Sequence, residues 1–192
     1  MTELEEYIHS YFGVSEEDMS TIAALFKPTL LRKGDYFLKA GAYCDKLSFI
    51  QSGFLRVYAP LGDKEVTQWI GSKGSFMTDL ASFTFRAPAR WYIQALTDTE
   101  LDTIHGNDYN RLAELIPAWP ELEKKFIVSC FTIMENRIFA HLSMPAEERY
   151  AVFFDQNREL FNRVPLQYIA SMLGMTPETF SRIRRKQLGL IS

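Results

Sequence analysis

Hydrophobic spacing divides the chain into stretches of different period. Over residues 3–26 apolar side chains recur at helical spacing, with Met19, Ile22, Ala23 and Phe26 on one face. Ser15, followed by Glu17 and Asp18, marks a helix start, and Pro28 ends the pattern. From Leu30 to Ile104 the period shortens. The runs YFLKA, KLSFIQ, FLRVYA, VTQWI and WYIQAL are rich in aromatic and β-branched residues, and Gly34, Gly41, Gly53, Gly62, Gly71 and Gly74 punctuate them. Strands at a spacing of roughly 8–12 residues with turn glycines predict an antiparallel sandwich or barrel. Gly62-Asp63, between two such runs, predicts a hairpin. From Asp108 the helical period returns, and Pro117 and Pro120 fit the start of a long helix over 118–142. One apolar stripe of that helix is Leu122, Phe126, Cys130 and Ile133; the other is Ile127, Phe131, Met134, Ile138 and Leu142. A helix that is apolar on two sides must touch two things. The expected pair is its own β-domain and a second copy of the chain; the alternative is burial within one domain. Ser143-Met144-Pro145 breaks the helix, and Ala146–Phe161 restarts it with Tyr150, Val152, Phe153, Phe154 and Leu160.

The last part of the pattern is two short helices with a tight turn. Leu166, Ile169, Ala170 and Leu173 share one face. Gly174 suits the left-handed position that ends a helix, where a Cβ is disfavoured. Thr176 is placed to cap the next helix, with Pro177 in its first turn. Phe180 and Ile183 then point inward, while Glu178, Ser181, Arg182, Arg185 and Lys186 point elsewhere. This is a helix-turn-helix pattern whose second helix carries groups that can read DNA. Arginine can bond two acceptors on a guanine edge, glutamate can accept from a cytosine amine, and Ser or Thr can reach a base or a phosphate. Arg184, Arg185 and Lys186 can neutralise phosphates. A helical hairpin with a solvated cationic end is the plainer alternative.

Charge sharpens this division. The 192 residues carry a net −3, yet residues 164–192 hold Arg182, Arg184, Arg185 and Lys186 against Glu178 alone, a net +3, which leaves −6 on the rest. A small basic end on an acidic body favours a polyanionic partner for that end. With 47% hydrophobic and 23% charged residues the chain reads as globular and long enough to bury a core without metals or disulfides. No run approaches the roughly 18 apolar residues of a membrane span. The N-terminus lacks the basic-then-apolar layout of a secretory signal, so a cytoplasmic location is expected. Cys44 and Cys130 are far apart and form no zinc or iron–sulfur spacing, and His9, His105 and His141 are scattered, so no metal site is expected. No Ser/His/Asp motif, P-loop or Gly-x-Gly-x-x-Gly occurs, so no enzyme activity is expected.

The order of these parts resembles the Crp/Fnr family of bacterial transcription regulators. Two stretches carry the resemblance: KGDYFLKAGAYCDKLSFIQSGFLRVY at 33–58, with Phe37, Leu47, Phe49, Ile50 and Val57 filling a β-roll, and IASMLGMTPETFSRIRRK at 169–186. The resemblance implies an α+β chain with a double-stranded β-helix (jelly-roll) sensor domain at 1–116, a dimerisation helix at 117–143 and a helix-turn-helix domain at 144–192. It implies a homodimer on double-stranded DNA with a palindromic operator, and RNA polymerase as a further partner. Candidate DNA contacts are Thr176, Glu178, Thr179, Ser181, Arg182, Arg185 and Lys186. Glu178 and Arg182 match the family's base-reading Glu and Arg, whereas Pro177 replaces an Arg that usually precedes that Glu, which alters the expected operator. The family often has a β-hairpin wing after this helix, and QLGLIS is too short to make one in full.

The same resemblance implies a ligand site. Family members that bind cyclic nucleotides hold the phosphate with a Gly-Glu-Leu segment, a helix N-terminus and an Arg-Ser/Thr-Ala segment. Here Thr78-Asp79-Leu80 stands in place of the first segment, and Ala89 falls at the phosphate-arginine position. Arg90 comes one residue late, which in a strand would aim it at the other face. The candidate pocket is therefore Thr78, Asp79, Leu80, Arg86 and Arg90, crowded by Trp91 and Tyr92, and tight binding of cAMP is not expected. Plainer roles are a helix cap for Asp79 and a surface charge for Arg90. The alternative function is a cyclic-nucleotide-binding signalling module whose C-terminal helices contact protein. A cupin-like enzyme lacks its His/Glu metal set. The iron–sulfur members' cysteine cluster is missing, and no axial haem ligand is identifiable.

Overall fold

The computed structural model describes residues 3–12, 14–187 and 189. Two helices, α1 (Glu3–Phe12) and α2 (Glu16–Leu25), open the chain, and the Ser15 side chain caps α2 by accepting from the Asp18 N–H. Eight strands follow: β1 (Lys27–Leu31), β2 (Tyr36–Leu38), β3 (Lys46–Ser52), β4 (Leu55–Leu61), β5 (Lys64–Gly71), β6 (Phe76–Met77), β7 (Tyr92–Ala95) and β8 (Thr99–His105), with the short helix α3 (Leu80–Phe85) between β6 and β7. They make two antiparallel four-stranded sheets of order β1-β8-β3-β6 and β2-β7-β4-β5. This is the expected jelly roll. Strand structure starts at Lys27 rather than Leu30 and takes in Pro28, because β1 lies at a sheet edge with β8 as its one neighbour among the described residues; a sheet edge tolerates a residue without an N–H.

Turn chemistry sets the register. Gly62-Asp63 is the two-residue loop that pairs Leu61 with Lys64, and Gly62 has φ +59°, where a Cβ is disfavoured. Inward residues Phe37, Ile50, Leu55, Val57, Met77 and Ile93 fill the space between the sheets. A second core joins α1 and α2 to Phe49 and Ile104 of the roll and to the start of the next helices through Leu112, Trp119, Leu122 and Phe126.

The helices after the roll are α4 (Gly106–Leu115), α5 (Trp119–Ser143), α6 (Ala146–Gln156), α7 (Arg158–Arg163), α8 (Leu166–Met172) and α9 (Pro177–Gln187). The expected single helix over Ala146–Phe161 is interrupted at Asn157, whose backbone leaves helical geometry (φ −135°, ψ 38°). Val152 of that stretch faces solvent. Leu122 and Phe126 on the first stripe of α5 are buried, but Ile133 is 45% exposed. The second stripe is bare, with Phe131 62%, Ile138 55% and Leu142 82% exposed, and Val128 and Phe139 widen it. The region expected to be too short for a wing lies, apart from Gln187 at the end of α9 and Gly189, outside the described residues.

Candidate nucleic-acid interface and ligand pocket

Local sequence builds the helix pair. The last turn of α8 closes with the Gly174 N–H donating to Ser171 O (3.0 Å) and the Met175 N–H to Ala170 O (2.9 Å). This reversal requires a left-handed residue after the helix, and Gly174 has φ +69°. The Thr179 N–H then donates to the Thr176 hydroxyl (3.2 Å), which caps α9. Phe180 and Ile183 anchor α9 in a core with Tyr150, Phe161, Ile169, Ala170 and Met172. A helix fixed along one side by two apolar anchors presents the remaining faces to solvent.

The candidate DNA-reading residues lie on those faces. Glu178, Ser181, Arg182 and Arg185 are exposed, as is Thr176 at the cap, while Thr179 is half-buried. Arg182 and Arg185 have no ion-pair partner among the described residues. Lys186 is engaged by Glu147 of α6 at 3.1 Å, and Arg184 is half-buried. The Glu178 carboxyl is held below the usual carboxylate range by its own backbone N–H and the Thr176 hydroxyl, with Lys64 adding attraction.

The candidate ligand residues are not brought together in one cavity. Arg86 lines a cavity of about 650 Å3 with Tyr43, Thr84, His105 and Tyr109. Asp79 lines a separate one of about 410 Å3 between the roll and α5, and Thr78 and Leu80 border both. Arg90 lines neither: it is exposed, and its guanidinium rests on Trp91 at 4.8 Å. Residues 86–91 are not strand, so alternation along a strand does not set Arg90's direction. Ala89 is what points inward, buried and bonded through its backbone to Gly41 and Ala42. Asp79 is the N-cap of α3: one carboxylate oxygen accepts from the Ser82 N–H (3.1 Å) and the other from the Arg90 N–H (3.3 Å). Thus a side chain of the protein supplies the negative charge at this helix start, and an added phosphate would meet that charge.

The sequence reading missed a junction between the roll and the helix pair. Arg56 of β4 is 2% exposed. Its guanidinium lies over Tyr58 at 4.1 Å and Tyr168 of α8 at 3.7 Å, while Nε donates to the Thr67 hydroxyl (2.9 Å) and Nη1 to Glu65 (2.7 Å). The Thr67 backbone N–H donates to the Ser171 hydroxyl of α8 (2.9 Å). Burial and the Tyr36 hydroxyl push the Tyr58 phenol up, so it stays neutral. A strand that alternates Leu, Arg, Val, Tyr reads as half-solvated, and no signal in the local pattern reveals that α8 covers its polar face.

Residues 28–114 match the cyclic nucleotide-binding domain family. That stretch, from β1 to the end of α4, is therefore similar to a cyclic nucleotide-binding domain. Over most of its length the chain shares its fold with several solved structures. FixK2 from Bradyrhizobium japonicum superposes with a TM-score of 0.71 at 17% identity, over 87% of each chain. The c-di-GMP-responsive regulator CLP from Xanthomonas campestris gives 0.65 at 14% identity, over 91% of this chain and 92% of that one. The catabolite activator protein of Thermus thermophilus gives 0.58 at 19% identity, over 97% and 89%. No curated protein sequence matches the chain. Among the described residues no helix is long and apolar enough to cross a membrane, and no group of three or more His, Cys, Asp or Glu is placed to hold a metal ion.

Proposed function

We propose that this protein is a DNA-binding transcription regulator, a cytoplasmic homodimer with no catalytic activity, divided as a sensor roll (1–116), a dimerisation helix (117–143) and a DNA-binding domain (144–192). The observation that carries the reading is the outward presentation of Arg182 and Arg185 on a helix anchored by Phe180 and Ile183. Two such helices, related by a two-fold axis along α5, enter successive major grooves about 34 Å apart, which calls for a palindromic operator. Arg182 and Glu178 read base edges; Arg185 contacts phosphate, and Thr176, Thr179, Ser181 and Lys186 complete the contact set. RNA polymerase is a further partner in this reading. The cap made by Asp79 and the inward Ala89 speak against a cyclic phosphate in the roll.

Binding to duplex DNA, measured as salt is raised, tests this. Affinity falls linearly on a log–log plot, and Arg185→Ala flattens the slope by about one unit. Affinity that does not respond to salt would remove DNA as the partner, and would leave the signalling module that contacts protein as the reading to pursue.

A further inference from the structure

The cavity beside Asp79 lies between the roll and α5, and Val57, Trp69, Met77, Trp91, Cys130 and Met134 supply much of its wall. Gln68, Ser75, Thr78 and Asp79 are its polar residues, and it has no Lys, Arg or His. Both Asp79 carboxylate oxygens are committed to backbone N–H groups. Its volume of about 410 Å3 is in the range of small-molecule pockets. An apolar wall without a cation discriminates against phosphates, because a desolvated anion there has no counter-charge.

One wall of the cavity is also wired to the helix pair. The Trp69 ring that faces the cavity carries the Arg137 guanidinium of α5 at 5.5 Å. Arg137 Nη2 donates to Met172 O at the end of α8 (3.2 Å), while Nη1 is buried with no hydrogen-bond partner among the described residues. Arg137, on α5, thus touches both the roll and α8, with Nη1 left to spare as a donor.

We propose that this cavity binds an uncharged, largely apolar molecule of aromatic size, and that Arg137 passes its occupancy from Trp69 to α8 and so to α9. The second half rests on the DNA-binding reading above; the first does not. A filled cavity fixes the Trp69 ring, the ring fixes the guanidinium above it, and the guanidinium holds the last carbonyl of α8, that of Met172. Met134 at the rim belongs to the exposed stripe of α5, so a second copy packed there closes the mouth, whereas Met77 and Val57 are buried in the roll beyond its reach.

The test uses the full chain and the uncharged probe N-phenyl-1-naphthylamine, whose fluorescence rises in apolar surroundings. Expected is saturable uptake of one probe per chain, unaffected by excess cAMP and weakened roughly tenfold or more by Trp91→Ala and by the cavity-filling Cys130→Phe. Displacement by cAMP, or uptake unchanged in both variants, as adsorption on the exposed stripe of α5 would give, overturns the pocket. Probe and operator duplex should shift each other's affinity by the same factor, as reciprocal linkage demands. Arg137→Met is expected to keep probe uptake and abolish that shift; a shift that persists in Arg137→Met overturns the relay. Probe uptake by a protein that selects no duplex contradicts the regulator reading and the relay with it, while the pocket stands.

Discussion

Arg182 and Arg185 are both cationic, both exposed and three residues apart, yet distinct tasks are assigned to them. Arg182→Ala is expected to weaken operator binding by about 1–3 kcal/mol, chiefly by relaxing one base position per half-site. Arg185→Ala is expected to lower affinity for all duplexes alike, and competition assays with operator and random DNA separate the two. Glu178 adds a pH prediction. Its carboxyl pKa is depressed by its own N–H and the Thr176 hydroxyl, so the ionised form that accepts hydrogen bonds persists as pH falls and is lost only below the usual carboxylate range. Discrimination at the base it reads should therefore be flat from about pH 6 to about pH 8. A titration inside that window, seen in wild type and absent in Glu178→Gln, would contradict the depressed carboxyl. The same scale shows what the sequence made legible. Thr176 and Gly174 announce themselves because capping and left-handed backbone are local demands. Arg90 is exposed and Ala89 inward, as the one-residue offset suggests, although the loop after α3 sets that direction and not alternation along a strand.

At the scale of elements, the turn between α8 and α9 depends on backbone conformation more than on space. A Cβ at Gly174 would come no closer than 3.5 Å, to His141, so Gly174→Ala should cost about 1–2 kcal/mol through its positive φ alone, readable as a lower urea midpoint at unchanged slope. The junction of β4, β5 and α8 is tested by Arg56→Met. Thr67 loses its partner while Glu65, half-exposed, turns to water, so the expected loss is about 1–2 kcal/mol, with faster proteolysis between the roll and the helix pair. Stability equal to wild type would make the buried guanidinium dispensable. The strands of the roll and the long helix were legible because period and turn residues are written locally. The cover over Arg56 was not, since it comes from packing between elements distant in sequence; the break at Asn157, by contrast, is made by local bonds, its side chain donating to Phe153 O and its own carbonyl accepting from the Leu160 N–H.

The whole molecule leaves one face unexplained by a single chain. Phe131, Ile138, Phe139 and Leu142 expose an apolar stripe along α5, and contiguous exposed apolar surface marks interaction sites. Phe131→Glu should halve the mass seen in sedimentation and reduce operator affinity by roughly 100-fold, because the second half-site is then no longer held in place; a wild type already monomeric at working concentration would contradict the dimer. The central claim is that α9 reads base edges. Selection from a random duplex pool, run in parallel with wild type and Arg182→Ala, tests it most directly. The account predicts a palindrome with half-sites one helical turn apart, degraded at a single position per half-site in the variant. No enriched sequence, or the same sequence from both proteins, would contradict it.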